Sequence, residues 1–398
     1  MCLSLCGSVA YGYCRSGRAG DVFAFVLSRP GPRPVHGLSP RVCTPFEALQ
    51  ALQTFAASEP LSKKTVSLAL QGGGSHGAFT WGALSRLLQD DRIVIDGISG
   101  TSAGAMNGAL LVAGMMEGGP EAACDKLNRF WGLVAESGRW SLFQPTWLDR
   151  MLGPGNLDYS PAFQLFDLAT RVLSPYDFNP LDFHPLREIL DSLLDFEALR
   201  IYDGIRFFVS TTHVRTGKIR VFDLAELSAD VLLASACLPL IFRAVEINGE
   251  PYWDGGFTGN PALFPLVYDC TASDVVLIEI NPLTCNETPR RSRDILSRMH
   301  DIGFNATLMR EMRSIAFVTH LIDAHELADR ASFRPINFHM VDGEDTLSRY
   351  GASSRFNCDR GFLESLRDIG WAAADRWLAQ HGDKIGEESS IDVHALFV

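Results

Sequence analysis

The stretch Ile93-Val94-Ile95-Asp96-Gly97-Ile98-Ser99-Gly100-Thr101-Ser102-Ala103-Gly104 decides the fold class of this chain. Its first half, Ile93–Ile98, is typical of a strand, and Gly100–Gly104 is a sharp glycine-flanked turn. Apolar residues then recur at helical spacing, at Met106, Leu110 and Ala113. The stretch therefore predicts a strand, a tight turn and a helix in that order.

The residues just before this stretch repeat the same order of elements. Val66–Leu70 is continuously apolar, as a strand buried on both faces should be. It leads into Gly72-Gly73-Gly74-Ser75-His76-Gly77, here called the glycine loop, and then into a helical pattern that contains Trp81 and Leu84. Two successive strand–turn–helix units predict an α/β fold with a mostly parallel sheet covered by helices.

The remaining sequence predicts further elements of the same kind. Further strands are expected at Ile205–Thr211, Ile219–Phe222, Val275–Ile280 and Ile336–Val341, and helices at Pro45–Ala57, Ser292–Ala316 and Gly361–Ala379. Residues 120–200 are predicted to be mostly helical. Residues 1–44 are rich in Gly, Pro, Ser and Arg without sustained periodicity, and we expect a flexible leader there.

Composition excludes some classes of function. The chain has 398 residues and a net charge of −12, which argues against nucleic-acid binding because phosphate recognition needs a basic surface. The same charge gives no general attraction to anionic membranes, so lipid contact is expected to be local and apolar. No apolar run reaches the roughly 18 residues of a spanning helix. Nine scattered cysteines, an odd number, predict reduced thiols and a cytoplasmic location.

Ser102 is the candidate nucleophile. Gly100-Thr101-Ser102-Ala103-Gly104 fits the G-x-S-x-G pattern between a strand and a helix, where the serine projects from a turn too sharp for neighbouring side chains. The alternative is a Gly/Ser-rich helix start that is capped by Ser99 or Thr101. The motif by itself favours the nucleophile without deciding the question.

The glycine loop has three interpretations. Its backbone N–H groups can bind the oxyanion that forms when the serine attacks. It also matches the GxGxxG pattern of a dinucleotide site, with Asp96 near the distance of a ribose-binding carboxylate. The third interpretation is a packing loop without a ligand. A second glycine turn with a serine at its apex, directly after Asp96, favours the oxyanion hole.

Asp254 is the candidate proton acceptor for Ser102. It follows Tyr252-Trp253 and precedes Gly255-Gly256, so that it lies at a tight turn. Taken alone, Asp-Gly is more typical of a hairpin turn than of a catalytic site. A rival in the same chemical class is an α/β-hydrolase triad that uses one of four downstream histidines, His300, His320, His325 and His339.

Four segments together resemble the patatin-like phospholipase family, in the order and with a spacing similar to its bacterial members. They are Gly72–Gly77, Gly100–Gly104, Ala234-Ser235-Ala236-Cys237-Leu238-Pro239-Leu240-Ile241-Phe242 and Asp254-Gly255-Gly256. Four ordered segments are far more specific than one. The resemblance covers about Val66 to Cys270. It implies a catalytic domain over residues 66–270 and leaves residues 271–398 as an extension packed on it.

The resemblance implies a three-layer α/β/α fold and hydrolysis of lipid acyl esters by a Ser102–Asp254 dyad. It places the oxyanion hole at the amides of Gly72, Gly73 and Gly74, and it implies neither a metal nor another cofactor. We expect Gly100, Gly104, Gly255 and Gly256 to support the turns. The expected partner is a lipid or acyl-ester substrate, with peripheral membrane contact allowed and no nucleic acid.

One position departs from the family pattern. The family commonly carries Arg or Lys where this chain has His76, so that a fixed charge beside the oxyanion would become one that titrates near neutrality. The alternative is a histidine that caps or packs locally. Aromatic-rich segments at Phe130–Trp131, Trp140–Trp147 and Phe163–Phe166 are candidates for an acyl-chain channel, although ordinary core or lid packing is the better explanation for any single residue.

Overall fold

The computed structural model describes residues 63–139, 143–179, 182, 184–285, 287–323 and 334–397, and three strands nearer the N-terminus. These strands are β1 (Leu3–Cys6), β2 (Val9–Arg15) and β3 (Val22–Leu27), which form an antiparallel sheet within the unit Met1–Pro60. The sequence analysis predicted no strand there. The helix expected at Pro45–Ala57 lies outside the described residues, and the flexible leader stays a prediction.

An eight-stranded sheet runs through the second unit, Leu61–Val398. Its strands are β4 (Lys64–Leu70), β5 (Ile93–Gly100), β6 (Arg206–His213), β7 (Ile219–Asp223), β8 (Val245–Ile247), β9 (Glu250–Asp254), β10 (Asp274–Glu279) and β11 (Asn337–Asp342). The order is β11-β10-β4-β5-β6-β9-β8, and β7 pairs with β6. The pairs from β11 to β6 are parallel, whereas β7, β8 and β9 pair antiparallel.

Fourteen helices are described in this unit. They are α1 (Gly77–Leu87), α2 (Ala103–Gly118), α3 (Pro120–Arg139), α4 (Trp147–Leu152), α5 (Pro161–Thr170), α6 (Pro175–Phe178), α7 (Pro185–Leu193), α8 (Phe196–Arg200), α9 (Ala229–Ser235), α10 (Phe264–Asp269), α11 (Ser292–Asp323), α12 (Glu344–Leu347), α13 (Arg360–His381) and α14 (Val393–Phe397). In the part of the chain that is described, no helix is both long and apolar enough to cross a membrane.

The two faces of the sheet carry separate apolar cores. Successive residues of a strand point to opposite faces, so Leu68 and Leu70 belong to one core while Ala69 belongs to the other. The first core is completed by helices that include α1, α2, α3 and α13, and the second by α10, α11 and α14. Helices on both sides of one sheet make the three-layer α/β/α architecture that the sequence predicted.

The register of β6 explains how two distant segments meet. Gly100, at the end of β5, pairs with Val209, and Asp254, at the end of β9, pairs with Thr211. Because β7 occupies the opposite edge of β6, β5 and β9 lie along the same edge and run towards each other. Their ends are two residues apart in register. The turn after β5 and the end of β9 are therefore neighbours.

Residues 271–398 belong to the same compact unit as residues 61–270. They contribute β10, which pairs with β4, and β11, which pairs with β10. The predicted boundary at residue 270 therefore does not separate two compact units. A division of function at that residue stays a prediction.

Candidate active site

Ser102 lies on a strained turn between β5 and α2. Its backbone has φ 53° and ψ −121°, a left-handed conformation that a residue with a side chain rarely adopts. Such conformations cost about 1–3 kcal/mol and persist only where the surroundings impose them. The serine is nearly buried, with 8% of its surface exposed. This geometry is that of a nucleophile elbow and not of a capped helix start.

Asp254 faces Ser102 from the end of β9. The Ser102 side chain acts on the Asp254 carboxylate as a hydrogen-bond donor that lowers its pKa, and the backbone N–H of Gly256 donates to Oδ1 at 2.7 Å. Only 1% of Asp254 is exposed. Burial raises the pKa of Asp254 to about 7, and these two hydrogen bonds oppose the rise. The site therefore contains a serine paired with an unusually basic carboxylate.

Side-chain hydrogen bonds fix the two segments against each other. Ser99 donates through Oγ to the carbonyl of Ala262 at 2.6 Å, and Thr101 donates to the carbonyl of Gly259 at 2.7 Å. All four residues are buried, where an unmade hydrogen bond is costly. The turn that carries Ser102 is thus tied on both sides to the segment that follows Asp254.

A third segment joins the site through Ser235, in α9. The backbone N–H of Ser102 donates to Ser235 Oγ at 2.8 Å, and that hydroxyl donates to the carbonyl of Ser210 at 2.7 Å. The carbonyl of Cys237, just beyond, accepts the N–H of Asp254 at 2.8 Å. The segment Ala234–Phe242 therefore accepts hydrogen bonds from the backbone N–H groups of both Ser102 and Asp254.

The glycine loop lies directly against the serine turn. A Cβ added to Gly72 would lie 2.8 Å from Ser102 Cβ, and Gly74 has φ 60°. The N–H of Gly72 already donates to Asn260 Oδ1 at 2.7 Å. Within the described residues, nothing accepts a hydrogen bond from the N–H of Gly73 or Gly74. Of the three predicted oxyanion donors, Gly72 is therefore engaged elsewhere and two remain available.

Buried amide side chains hold this loop from behind. Asn281 donates through Nδ2 to the carbonyl of Gly72 at 2.7 Å and to Gln71 Oε1 at 3.1 Å. Gln71 in turn donates to Asn305 Oδ1 at 3.1 Å. These three amides are fully or almost fully buried. The network fixes the backbone of Gln71–Gly72. Gly73 and Gly74, whose amides are free, come directly after these two residues in the chain.

Each of the four supporting glycines lies where a side chain would collide. An added Cβ would meet Leu70 O at Gly104, Ser210 O at Gly255, the Phe304 ring at Gly256 and, at 2.8 Å, Ala105 at Gly100. Close backbone approach is what requires glycine at these positions. The sequence-based assignment of these four residues to tight turns agrees with this packing.

His76 does not supply a charge that titrates near neutrality. It is buried, and burial, followed by the charge of Arg355, lowers its pKa to about 3, while Nε2 lies 2.7 Å from Ser354 Oγ. The expectation of a titrating charge is therefore wrong, because a cationic imidazole would be desolvated beside an arginine. The alternative of local packing is the one observed.

The buried cation near the glycine loop comes instead from Arg355. Its carbonyl contacts Gly74, where an added Cβ would collide with it. Its guanidinium pairs with Asp301 at 2.5 Å and lies 3.0 Å from His300 Nδ1. Burial lowers the pKa of Arg355, and the Asp301 carboxylate opposes that change. A position about 280 residues downstream of the glycine loop thus brings the positive charge to it.

The dinucleotide interpretation does not fit the placement of Asp96. Its carboxylate accepts hydrogen bonds from the N–H groups of Thr271 and Ala272 and pairs with Arg206 at 3.2 Å. It lies in the first half of β5, at a register shift between the pairs Val66–Ile95 and Ser67–Gly97, and thus away from the glycine loop at the far end of β4. The carboxylate therefore has a structural role in joining β5 to the segment before β10.

None of the candidate histidines that are described reaches the serine. His339 pairs with Asp274, where β10 begins, at the opposite end of the parallel strands. His300 stacks on Phe304 and lies beside Arg355. His325 lies outside the described residues. In the segments that are described, no cluster of three or more His, Cys, Asp or Glu side chains could hold a metal ion.

The aromatic segments divide into two groups. Phe130 and Trp131 are buried in the first core, where Trp131 donates to Asn107 Oδ1 at 3.0 Å. Phe163 and Phe166 pack on Phe143, with ring centroids 6.0 and 4.7 Å apart. Phe130 and Trp131 therefore belong to ordinary core packing. Phe163 and Phe166, on α5, form a separate cluster with Phe143.

The sequence analysis gave no role to four supporting residues: Ser235 and Asn260, which the family resemblance included, and Asn281 and Arg355, which it did not. Ser235 and Asn260 lie within or beside the recognised segments, so that proximity to a motif was the available signal. Asn281 follows a strand end, as many site residues of parallel sheets do. For Arg355 the sequence offers no local signal, because its place depends on a long-range contact.

Comparisons with known proteins identify the family of the chain. A family model described as Patatin-like phospholipase matches residues 68–267, half of the chain. Among solved structures, VipD from Legionella pneumophila gives a TM-score of 0.37 and 13% identity, over 81% of this chain and 68% of its own. No curated protein matches. On the strength of the family match, the chain belongs to the patatin-like phospholipase family.

Proposed function

We propose that this chain is a serine hydrolase of lipid acyl esters, of the phospholipase A type, that acts through Ser102 and Asp254. One observation carries the proposal: a serine with a positive φ lies beside a buried carboxylate whose pKa is raised to about 7, and its side chain acts on that pKa. Ordinary structural Asp–Ser pairs need neither the backbone strain nor the basic carboxylate, whereas a nucleophile and its base need both.

In the proposed reaction, Asp254 accepts the hydroxyl proton while Ser102 Oγ forms a bond to the ester carbonyl carbon. The amides of Gly73 and Gly74 hold the resulting oxyanion, each such donor being worth roughly 3–4 kcal/mol in other hydrolases. The bond to the alcohol then breaks, and that alcohol takes the proton from Asp254. A water molecule attacks the acyl-enzyme, gives its proton to Asp254 and releases the fatty acid, and the proton returns to Ser102.

The experiment combines labelling with turnover. A fluorophosphonate should label the wild-type chain at Ser102, as identified by peptide mapping. Ser102→Ala and Asp254→Asn should each lower kcat/KM for p-nitrophenyl esters by at least about 10⁴-fold. Ser137→Ala and Asp269→Asn, at exposed positions, are the matched controls and should keep full activity. Near-normal turnover by a folded Asp254→Asn variant would contradict the proposed Ser102–Asp254 mechanism.

We propose further that α4, α5 and the loop after Cys237 contact a lipid surface peripherally. Trp147, Leu165, Leu168 and Leu240 are 59–70% exposed, although the opposite face of α5 packs on Phe143. Exposed apolar side chains in this number are typical of an interaction surface. Leu165→Glu should weaken binding to phosphatidylcholine vesicles and leave hydrolysis of soluble esters unchanged. A cytoplasmic location stays a prediction.

A further inference from the structure

A cavity of about 1060 Å³ lies behind the glycine loop and is lined mainly by residues beyond 270. Here it is called the arginine cavity, because the described residues that line it include five arginines but only three acidic residues. The arginines are Arg290, Arg291, Arg298, Arg349 and Arg355. The chain as a whole has a net charge of −12, so this concentration of positive charge runs against its composition.

Most of this charge is not neutralised by a neighbouring carboxylate. Arg298 donates to the carbonyls of Pro282 and Leu283, at 3.1 and 3.0 Å, so that both partners are neutral. Arg349, which is exposed, forms no ion pair with any carboxylate of the described residues. The charge of Arg298 also opposes the rise that burial causes in the pKa of the nearby Asp301 carboxyl, so part of its attraction for an anion is offset, whereas no carboxylate pairs with Arg349 in the described residues.

Arg355 provides the second, independent sign of a missing partner. Its side chain is about nine-tenths buried, and its guanidinium pairs with Asp301. Its Nε is nevertheless buried without a hydrogen-bond acceptor in the described structure. A buried guanidinium N–H left unpaired costs about 1–3 kcal/mol, and a shift of the Arg355 side chain towards an oxyanion in the cavity would pair it.

The remaining lining fits an anion as well. His76 lines the cavity as a neutral ring, because burial and then Arg355 lower its pKa to about 3. Burial raises the pKa of Asp301, the deepest of the acidic residues, and its carboxyl is paired with Arg355. The 32-residue helix α11 begins at Ser292, beside the lining residue Arg291, so its positive end faces the same region.

We propose that the arginine cavity binds a phosphate-type oxyanion, with Arg298, Arg349 and Arg355 as ligands. Planar guanidinium groups bind phosphate oxygens in pairs, which suits three arginines around one tetrahedral anion. The carbonyl of Arg355 contacts Gly74, so an anion bound here would also brace the glycine loop. Two sources have this chemistry: the head group of a phospholipid substrate, which rests on the proposed function, and free phosphate.

The first test measures binding without turnover. Inorganic phosphate is titrated by calorimetry into the full chain that carries Ser102→Ala. We expect saturable binding, weakened at least about tenfold by Arg298→Gln with Arg349→Gln, since a charged hydrogen bond is worth about 1.5–3 kcal/mol. Arg129→Gln, an exposed arginine on α3, makes the same charge change away from the cavity and should bind phosphate normally.

Thermal unfolding verifies that each variant folds. If the double variant does not fold, Arg349→Gln alone, at an exposed position, should still weaken binding about threefold. Absence of phosphate binding by the parent chain, or equal binding by the Arg349→Gln and Arg129→Gln variants, would overturn the proposal.

The second test separates the two sources in the active chain. Hydrolysis of phosphatidylglycerol is compared with that of a diacylglycerol with the same acyl chains. With a head group in the cavity, the arginine variants lose the preference for the phospholipid. With free phosphate in the cavity, the preference is unchanged while phosphate binding still falls. If the parent chain hydrolysed neither lipid, the proposed function would be contradicted, while the calorimetric result on phosphate binding would be unaffected.

Discussion

Residues 63–270 and residues 271–397 contribute to the same site in different ways. The first region contains the groups that would react, Ser102 and Asp254, together with the free amides of Gly73 and Gly74. The second region contributes no reacting group. It supplies Asn281, which holds the glycine loop, and supports that loop further through Asn305 and Arg355.

The recognisable motifs of the first region therefore depend on supporting residues that belong to no motif. A nucleophile elbow and its carboxylate need particular residues at fixed spacing, so they leave a pattern in the sequence. A support needs only to reach the right backbone group, and many residues can do so from many positions. The following variants test whether the two regions have these separate roles.

The largest effect is expected from the buried ion pair behind the loop. Arg355→Met leaves the Asp301 carboxylate buried without its partner and should lower the free energy of unfolding by about 3–5 kcal/mol. Chemical denaturation measures this change. The double variant Arg355→Met with Asp301→Leu removes both charges and should recover most of the stability. An equally unstable double variant would show that packing, and not charge, is what Arg355 provides.

A smaller effect is expected on catalysis when a support of the glycine loop is removed. Asn281→Leu keeps the volume but loses the donor to the Gly72 carbonyl, so that the amides of Gly73 and Gly74 lose their fixed direction. We expect kcat to fall about 10²-fold with little change in KM. Steady-state kinetics on p-nitrophenyl butyrate measure both constants.

The matched control for that variant is Asn337→Leu, which makes the same chemical change in β11. Asn337 donates to Asp274, at the other end of the sheet, and should leave both constants unchanged. If Asn281→Leu raised KM and left kcat intact, Asn281 would act on substrate binding and not on the oxyanion amides.

The buried Asp254 carboxylate should lower the stability of the fold in the pH range in which it is ionised and can act as a base. The folded pKa of Asp254, about 7, exceeds its usual value of 3.8, so the folded chain holds a proton that the unfolded chain releases between these values. The stability this gives is complete below pH 3.8 and is lost as the pH rises through 7. Asp254→Asn should therefore raise the free energy of unfolding at pH 8, by at most the ~4 kcal/mol that corresponds to a pKa raised from 3.8 to about 7. A destabilised variant at pH 8 would contradict the assigned pKa direction.

The smallest effect is the pH dependence of the reaction. Asp254 accepts a proton only when ionised, so kcat/KM should rise about tenfold per pH unit below about pH 7 and level off above it. His76 and His300 do not titrate in this window, because burial lowers the pKa of each to about 3. A profile that stays flat from pH 5 to 8 would exclude Asp254 as the base.

From the sequence we predicted the fold class, which the structure confirms, and two candidate reacting residues, which stay predictions. Strand–turn–helix order around Gly72–Gly77 and Gly100–Gly104 predicted the parallel α/β sheet, because burial on both faces requires continuous apolar strands and helical cover. Asp254 required the resemblance to a family, since an Asp-Gly pair alone is more typical of a hairpin. The hairpin proved to turn at Asn248-Gly249 instead, where both residues have positive φ.

Only the tertiary structure decided how the site is completed. Three features depend on contacts across many residues: β5 and β9 meet end to end along β6, Asn260 accepts the amide of Gly72, and the Arg355 carbonyl contacts Gly74. A local pattern reports which face of an element is buried. It does not report which distant side chain reaches a given carbonyl, because that is fixed by packing of the whole unit.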